Sequence, residues 1–147
     1  MATLTGEIVD PVGILVQHLL GQTALTDLVD KRIYGGLLPP GSAQQESAVT
    51  IRQSGGPREL YQEVITRPRF EVRCYGATEE DAAQVYWRVY RLTNAKLNLT
   101  GGTAPKDGRI LSIWFSSSGA MLYDETLNKP YMLAFMESFV QTEALSA

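Results

Sequence analysis

Cysteine and histidine are nearly absent from this sequence, which has Cys74 and His18 as single copies among 147 residues. One cysteine cannot form a disulfide within the chain, and one thiol with one imidazole cannot complete a zinc site. Cys74 stands on the apolar side of a predicted strand, which is typical of a buried inert thiol. His18 points away from the apolar stripe of a predicted helix, which is typical of a solvated residue. We therefore expect no metal site and no Cys–His catalytic pair.

Long apolar runs and blocks of basic residues are also missing. No run approaches the roughly 20 apolar residues of a membrane span, and the opening "MATLTGEIVD" lacks the basic start and apolar core of a secretory signal. Thirteen Lys and Arg residues stand against sixteen Asp and Glu, and the two signs are mixed along the chain. We expect no membrane association and no specific nucleic-acid recognition, in a protein made and used inside a cell or in an assembly formed there.

No pattern of catalytic or cofactor-binding residues is present. The stretches "SGGP" and "TGGT" are rich in glycine but lack the lysine and the strand-to-helix setting of a phosphate loop. The acidic run Glu79, Glu80 and Asp81 follows Thr78, where a capping threonine and carboxylates suit the start of a helix. We expect neither a catalytic residue nor a cofactor, and therefore a protein that is not an enzyme.

Helices are predicted in three places. At 147 residues and 44% hydrophobic, the chain suits one compact domain over residues 1–147. "DPVGILVQHLLGQ" predicts a helix that begins at Pro11 after the cap Asp10 and ends at Gly21. A short second helix is predicted around residues 25–29, and a long one with a wide apolar face over "EEDAAQVYWRVYRLTNAK".

Strands fill much of the remaining chain. They are predicted near residues 33–34 and over "AVTIRQ", "RPRFEVRCYG", "RILSIWFSS" and part of "GAMLYDETLNKP". "LLPPGSAQQES" is a predicted loop, because consecutive prolines cannot enter a sheet ladder. "YMLAFMESFVQTEAL" has residues that favour helix and an alternation that favours strand, and we take it as a strand that pairs with the preceding one. The order predicts an α+β fold, with an antiparallel sheet and two N-terminal helices and one long central helix packed on it.

Two of these strands have sides whose surroundings the sequence leaves open. Side chains alternate along a strand, so "RPRFEVRCYG" has an apolar side and a charged side, the latter formed by Arg67, Arg69, Glu71 and Arg73. Water, nucleic acid or the opposite charges of a neighbouring chain could face that side. The last strand is apolar on both sides and needs cover from two layers, one of which a second chain could supply. The candidate self-assembly residues are Arg69, Glu71, Arg73, Tyr131, Leu133, Phe135 and Phe139.

The order and character of these segments resemble one family. The helix "DPVGILVQHLL", the passage "IYGGLLPPGSAQQESAVTI", the strand "RFEVRCYG" leading into "TEEDAAQVYWRVYRL", and the final "GRILSIWFSSSGAMLYDETLNKPYMLAFMESFVQ" are together similar to tail completion or tail terminator proteins of long-tailed bacteriophages. The resemblance spans residues 10–141 and rests on no catalytic signature. It implies an α+β domain that assembles as a homo-hexameric ring at the head-proximal end of the tail tube.

This resemblance implies a structural virion protein that ends tube growth and joins the tail to the head. Its partners would be its own copies, the tail tube protein and the head-tail connector protein. One alternative is another connector or ring component of the same assembly. An alternative from a different class, which rests only on the arginines of "RPRFEVRCYG", is a small intracellular nucleic-acid-binding module.

Overall fold

The structure is a computed structural model that describes residues 3–8, 10–39, 46–56, 65–99, 109–141 and 143–146, with only the backbone of the first and last ranges. Residues 40–45 of the predicted loop "LLPPGSAQQES" lie outside this part of the chain. The described residues form one α+β domain, as the sequence predicts.

The helices form where the sequence supplies caps and apolar stripes. Helix α1 spans Pro11–Leu20, and the Asp10 side chain caps it by accepting a hydrogen bond from the Val12 amide at 3.1 Å. Helix α2 spans Thr23–Val29. Helix α3 spans Glu79–Thr93, and its cap is the Thr78 hydroxyl, which accepts a hydrogen bond from the Asp81 amide at 3.2 Å. The three predicted helices are confirmed.

The main sheet is mixed and has the strand order β2-β3-β5-β9-β7-β6. These strands are β2 (Ile33–Gly35), β3 (Ala48–Gln53), β5 (Arg69–Tyr75), β9 (Lys129–Gln141), β7 (Arg109–Phe115) and β6 (Lys96–Leu99). Two more strands, β4 (Ile65–Thr66) and β8 (Ala120–Asp124), pair with β9 away from this path. A separate antiparallel pair joins β1 (Thr3–Ile8) to β10 (Glu143–Ser146).

The expected antiparallel arrangement is wrong for one pair of strands. β2 runs parallel to β3, with Ile33 opposite Val49, whereas the other described pairs of the main sheet are antiparallel. Strand direction depends on how the chain returns between the two strands, and local alternation carries no information about that return. The strands β1, β4 and β6 were also missed, and the predicted last strand divides into β9 and β10.

Strand β9 is the centre of the sheet. It confirms the strand interpretation of the last segment and runs for 13 residues. β5 and β4 pair along one edge of it, while β7 and β8 share the other edge. A strand with neighbours on both edges has its backbone groups bonded in the ladder, which explains why the helix-favouring Met and Ala residues do not decide its structure.

The three helices cover one face of this sheet. The inward side chains of β5, Phe70, Val72 and Cys74, are fully buried in one apolar cluster with residues of all three helices. The even-numbered residues of β9 join the same cluster through Ala134, Met136 and Val140. We call the opposite face of the sheet the outer face.

Helix α3 ends earlier than the sequence predicts. The apolar pattern extended it through Lys96, but it stops at Thr93 and the chain turns into β6. Asn94 holds this end, because its side-chain carbonyl accepts a hydrogen bond from the Phe115 amide at 3.0 Å and its amide group donates to the Tyr90 hydroxyl at 3.1 Å. Ala95 then has a positive φ of 58°. A contact with a distant strand therefore sets the helix end.

No single described helix is long and apolar enough to cross a membrane. α1 and α2 together reach that length and composition, with a bend of 88° between them.

Candidate functional site

The outer face brings the two predicted groups of self-assembly residues together. β5 and β9 are adjacent and antiparallel, with Arg69 opposite Glu137, Glu71 opposite Phe135 and Arg73 opposite Leu133. Odd-numbered residues of both strands therefore point to the same side, away from the buried Phe70 and Met136. The seven candidate residues lie on one continuous surface.

Arginines of β5 and of the residues just before it lie over aromatic rings of β9. The guanidinium carbon of Arg69 is 4.1 Å from the centre of the Phe135 ring. The corresponding distances are 5.0 Å for Arg67 over Phe139 and 5.1 Å for Arg73 over Tyr131. A cation over the face of a ring is attracted by the ring's quadrupole, and the contact strengthens as water is excluded. On the outer face, three aromatic rings of β9 therefore lie beneath three guanidinium groups.

Glu71 is buried and neutralised within its own chain. It is only 7% exposed, and each of its two carboxylate oxygens has an arginine partner. Arg73 donates to Oε1 at 3.3 Å, and Arg52 of β3 forms an ion pair with Oε2. The sequence suggested that Glu71 exchanges charges with a neighbouring chain, but its oxygens already accept from two arginines of the same sheet. Arg52 was missed, because only strand pairing places it opposite Glu71.

The tyrosines at one end of this face are also held in place. Tyr75 and Tyr131 lie opposite each other with ring centres 5.2 Å apart. Burial lowers the pKa of Arg73, but the Tyr75 hydroxyl and the Glu71 carboxylate raise it more, so the pKa of Arg73 is raised overall. Arg73 therefore remains a cation. Burial raises the pKa of Tyr75, opposed by the hydrogen bond that its hydroxyl oxygen accepts from Arg73.

The guanidinium groups of Arg67 and Arg69 differ from those of Arg52 and Arg73 in having no acceptor among the described residues. Neither group forms an ion pair or a hydrogen bond there, although the Arg69 backbone bonds to Ser54 and Gly55. The Nε atom of Arg69 is buried and lacks an acceptor among them. A buried donor without an acceptor is costly.

The outer face has the composition of a protein interface. It combines arginine with tyrosine and phenylalanine, and Trp114 of β7 adds a ring 5.7 Å from that of Phe139. These residue types are enriched where proteins bind each other. Nucleic-acid-binding sheets instead need free ring faces on which bases stack, and here the guanidinium groups lie over the rings. Trp114 was missed as a member, since its orientation follows a register shift in β7.

A second feature is a groove on the helix side of the sheet. It has a volume of about 530 Å³ and is lined by Tyr86, Trp87, Tyr90, Phe115, Ser116, Ser117, Ser118, Gly119 and Met132. Trp87, predicted on the apolar side of α3, is 56% exposed there. The Tyr86 hydroxyl accepts a hydrogen bond from the Gly119 amide at 3.1 Å. The groove presents rings and hydroxyl groups, and its lining contains no acidic, basic, histidine or cysteine side chain.

The residues that resemble parts of a catalytic site occupy structural positions. Cys74 is fully buried, as predicted, and burial raises the pKa of its thiol, so a nucleophilic thiolate is disfavoured. The expectation that His18 is solvated is wrong, because it is partly buried and its Nε2 lies 3.0 Å from the Leu92 carbonyl oxygen. Within the described part of the chain, no group of three His, Cys, Asp or Glu residues could hold a metal ion.

The comparisons with known proteins bear on the fold. No protein-family model matches the sequence, and no curated protein matches it. Among solved structures, the chain is similar to one from a structure described as the virion of a native gene transfer agent (GTA) particle, with a TM-score of 0.66 and 15% sequence identity. The similarity covers 88% of this chain and 92% of the other. The two chains therefore share a fold over nearly their whole lengths.

Proposed function

We propose that this chain is a structural virion protein that forms a homo-hexameric ring at the head-proximal end of a tail. In this role it ends growth of the tail tube and joins the tail to the head. The shared fold with a chain of a virion, over most of both chains, is the observation that carries the proposal. The resemblance of the segment order to tail completion proteins supports it.

The outer face supports a role in assembly. Its rings and aliphatic stems are half-buried, its charges are held by neighbouring side chains, and Arg67 and Arg69 have donors available for another chain. A rigid surface of this kind loses little conformational entropy on binding. The proposed partners are further copies of the chain, the tail tube protein and the head-tail connector protein.

A neighbouring position in the same assembly is the second candidate. Another ring between the head and the tail would need the same kind of self-associating surface. The two positions differ in one binding property, because a protein that ends tube growth must bind the open end of the tube. Incubation with purified tail tubes and with connector-bearing heads, followed by electron microscopy, separates them.

The direct test of the proposal is the mass and shape of the purified chain. Native mass spectrometry and negative-stain microscopy should show a hexameric ring, formed in free solution or on added tube ends. Particles produced without the protein should consist of free heads and separate tails, some of irregular length. A chain that stays monomeric and does not attach to tube ends, or normal particles in its absence, would contradict the proposal.

A pair of arginine variants tests the contribution of the outer face. Arg69→Ala removes a guanidinium that lies over Phe135, whereas Arg91→Ala removes one from the exposed side of α3. We expect the first to weaken ring formation or attachment and the second to leave both unchanged. Circular dichroism and thermal melting check that both variants fold. Equal assembly by the two variants would remove the outer face from the interface.

A further inference from the structure

Among the described residues, the outer face has more basic than acidic side chains. Arg52, Arg67, Arg69 and Arg73 face Glu71 and Glu137. Glu71 forms ion pairs with Arg52 and Arg73. Arg67 and Arg69 are left with ring contacts and no ion pair among the described residues.

The chemistry of these two arginines specifies the kind of partner. A guanidinium group that lies over a ring uses its face for that contact and leaves N–H donors at its edge. Those edge donors match the two oxygens of a carboxylate. The rings below reduce the access of water, so a pairing there is screened less than one at an open surface. Arg67 and Arg69 therefore suit an acidic protein surface.

The same chain carries an acidic surface without cationic partners. The first turn of α3 contains Glu79, Glu80 and Asp81, and both glutamates are exposed. None of the three forms an ion pair within the described residues. The helix dipole stabilises carboxylates at this position. This interaction does not use up their outward oxygens, which can still accept hydrogen bonds from another chain.

The two charged surfaces lie beyond opposite ends of β5. Arg67 and Arg69 are at its beginning, and the acidic turn follows its end at Tyr75. At about 3.3 Å per residue, the strand separates Arg69 from Tyr75 by about 20 Å. Gly76 fixes the acidic turn against that end, since a Cβ atom added there would lie 2.4 Å from the Ala82 amide nitrogen. One copy cannot pair these surfaces with each other.

We infer that the arginine edge formed by Arg67 and Arg69 binds the acidic first turn of α3 in the adjacent copy of this chain. Two complementary surfaces at opposite ends of one subunit form a head-to-tail contact, and repeated head-to-tail contacts make a ring when the rotation between copies closes and an open filament when it does not. The inference rests on the proposed ring function and specifies its subunit contact.

A reciprocal charge exchange tests the contact. Arg67→Glu places a glutamate opposite Glu80 of the adjacent copy, and Glu80→Lys places a lysine opposite Arg67. Each variant alone should lower ring assembly by at least about tenfold, because it replaces an opposite-charge pair with a like-charge pair in every contact and removes the net attraction of one surface. The double variant Arg67→Glu/Glu80→Lys should recover assembly. An equimolar mixture of the two single variants should recover it as well, through rings in which they alternate. Arg91→Glu, at an exposed site on α3, is the matched control.

The measurements are native mass spectrometry and negative-stain microscopy at low and high salt. Wild-type assembly should weaken as salt rises, and the double variant should follow the same trend. Should Arg67→Glu fail to fold, Arg67→Gln serves instead, and its assembly should depend less on salt than that of the wild type. An unchanged salt dependence would then refute the contact.

Two outcomes separate this inference from the proposed function. Normal rings from both single variants, or single-variant defects that neither the double variant nor the mixture repairs, would overturn the contact while leaving the ring function intact. A wild-type chain that forms no ring at any salt concentration and binds no tube end would overturn both.

Discussion

The guanidinium of Arg69 lies 4.1 Å from the centre of the Phe135 ring, joining two strands that are more than sixty residues apart in the chain. Arg69 comes from β5 and Phe135 from β9, and each was a candidate interface residue for a separate reason. Their contact shows that the charged side of one strand and the aromatic side of the other form a single surface.

The Arg69–Phe135 contact should have a measurable coupling energy. In a double-mutant cycle with Arg69→Ala and Phe135→Leu, we expect a coupling of about 0.5–1 kcal/mol, the range for a cation over a ring at a partly exposed site. Urea unfolding of the wild type and the three variants measures it. Arg91→Ala combined with Phe135→Leu should be additive, because Arg91 lies on α3. A coupling of zero for the first pair would show that the contact does not stabilise the fold.

Glu71 should contribute more to the unfolding free energy than an exposed glutamate does. Glu71→Gln removes the negative charge that holds Arg52 and Arg73, and we expect a loss of about 1.5–3 kcal/mol of unfolding free energy, the range for hydrogen bonds to charged groups. Glu80→Gln, at an exposed site, should cost less than about 0.5 kcal/mol. Chemical denaturation of both variants measures the difference. Equal stabilities would mean that the arginines find other acceptors.

Stability should fall at alkaline pH because the folded state buries the Cys74 thiol and two tyrosines. Burial raises the pKa of Cys74 above its ordinary value of 9.0, so this thiol also decreases the unfolding free energy as pH rises. Burial raises the pKa of Tyr75, opposed by its hydrogen bond with Arg73, and raises the pKa of Tyr86, opposed by its hydrogen bond with Gly119. Between the ordinary tyrosine pKa of about 10 and the raised values, the folded state binds more protons than the unfolded state, so the unfolding free energy decreases as pH rises. Burial lowers the pKa of Lys129. The contribution of this residue to the unfolding free energy therefore increases with pH between its lowered pKa and its ordinary pKa of 10.5.

Urea unfolding at pH about 9, 10 and 11 tests the decrease above the ordinary tyrosine pKa. Tyrosinate absorbance gives an independent measurement, since Tyr75 and Tyr86 should ionise later in the folded protein than in urea. The variant Tyr75→Phe should lose stability less steeply over the same range. A stability that stays constant or increases above pH about 10 would contradict the prediction.

Gly76 should tolerate no side chain. It stands between β5 and α3, and an added Cβ atom would lie 2.4 Å from the Ala82 amide nitrogen and 2.8 Å from the Asp81 carbonyl carbon, both backbone atoms. We expect Gly76→Ala to cost at least about 1–3 kcal/mol, the range for overpacked sites. At Gly21 the nearest atom is 3.5 Å away, so Gly21→Ala should have little effect. Thermal unfolding distinguishes the two, and similar melting temperatures would refute the expected clash.

The sequence by itself determined the elements that have strong local signals. Asp10 and Thr78 cap the helices that they were expected to cap, and the alternation of β5 buried Phe70, Val72 and Cys74 on the side that it predicted. Capping depends on residues within one turn, and alternation follows from the geometry of a single strand. The α+β class follows from the order of these elements.

The tertiary structure decided everything that depends on residues distant in the chain. Pairing placed Arg52 beside Glu71, which gives this carboxylate an ion-pair partner within its own chain. A contact between Asn94 and the Phe115 amide ended α3 before its apolar pattern did. The return of the chain between β2 and β3 made that pair parallel. Register, direction and cross-strand contacts depend on which segments meet, and the periodicity of one segment contains no information about its neighbour.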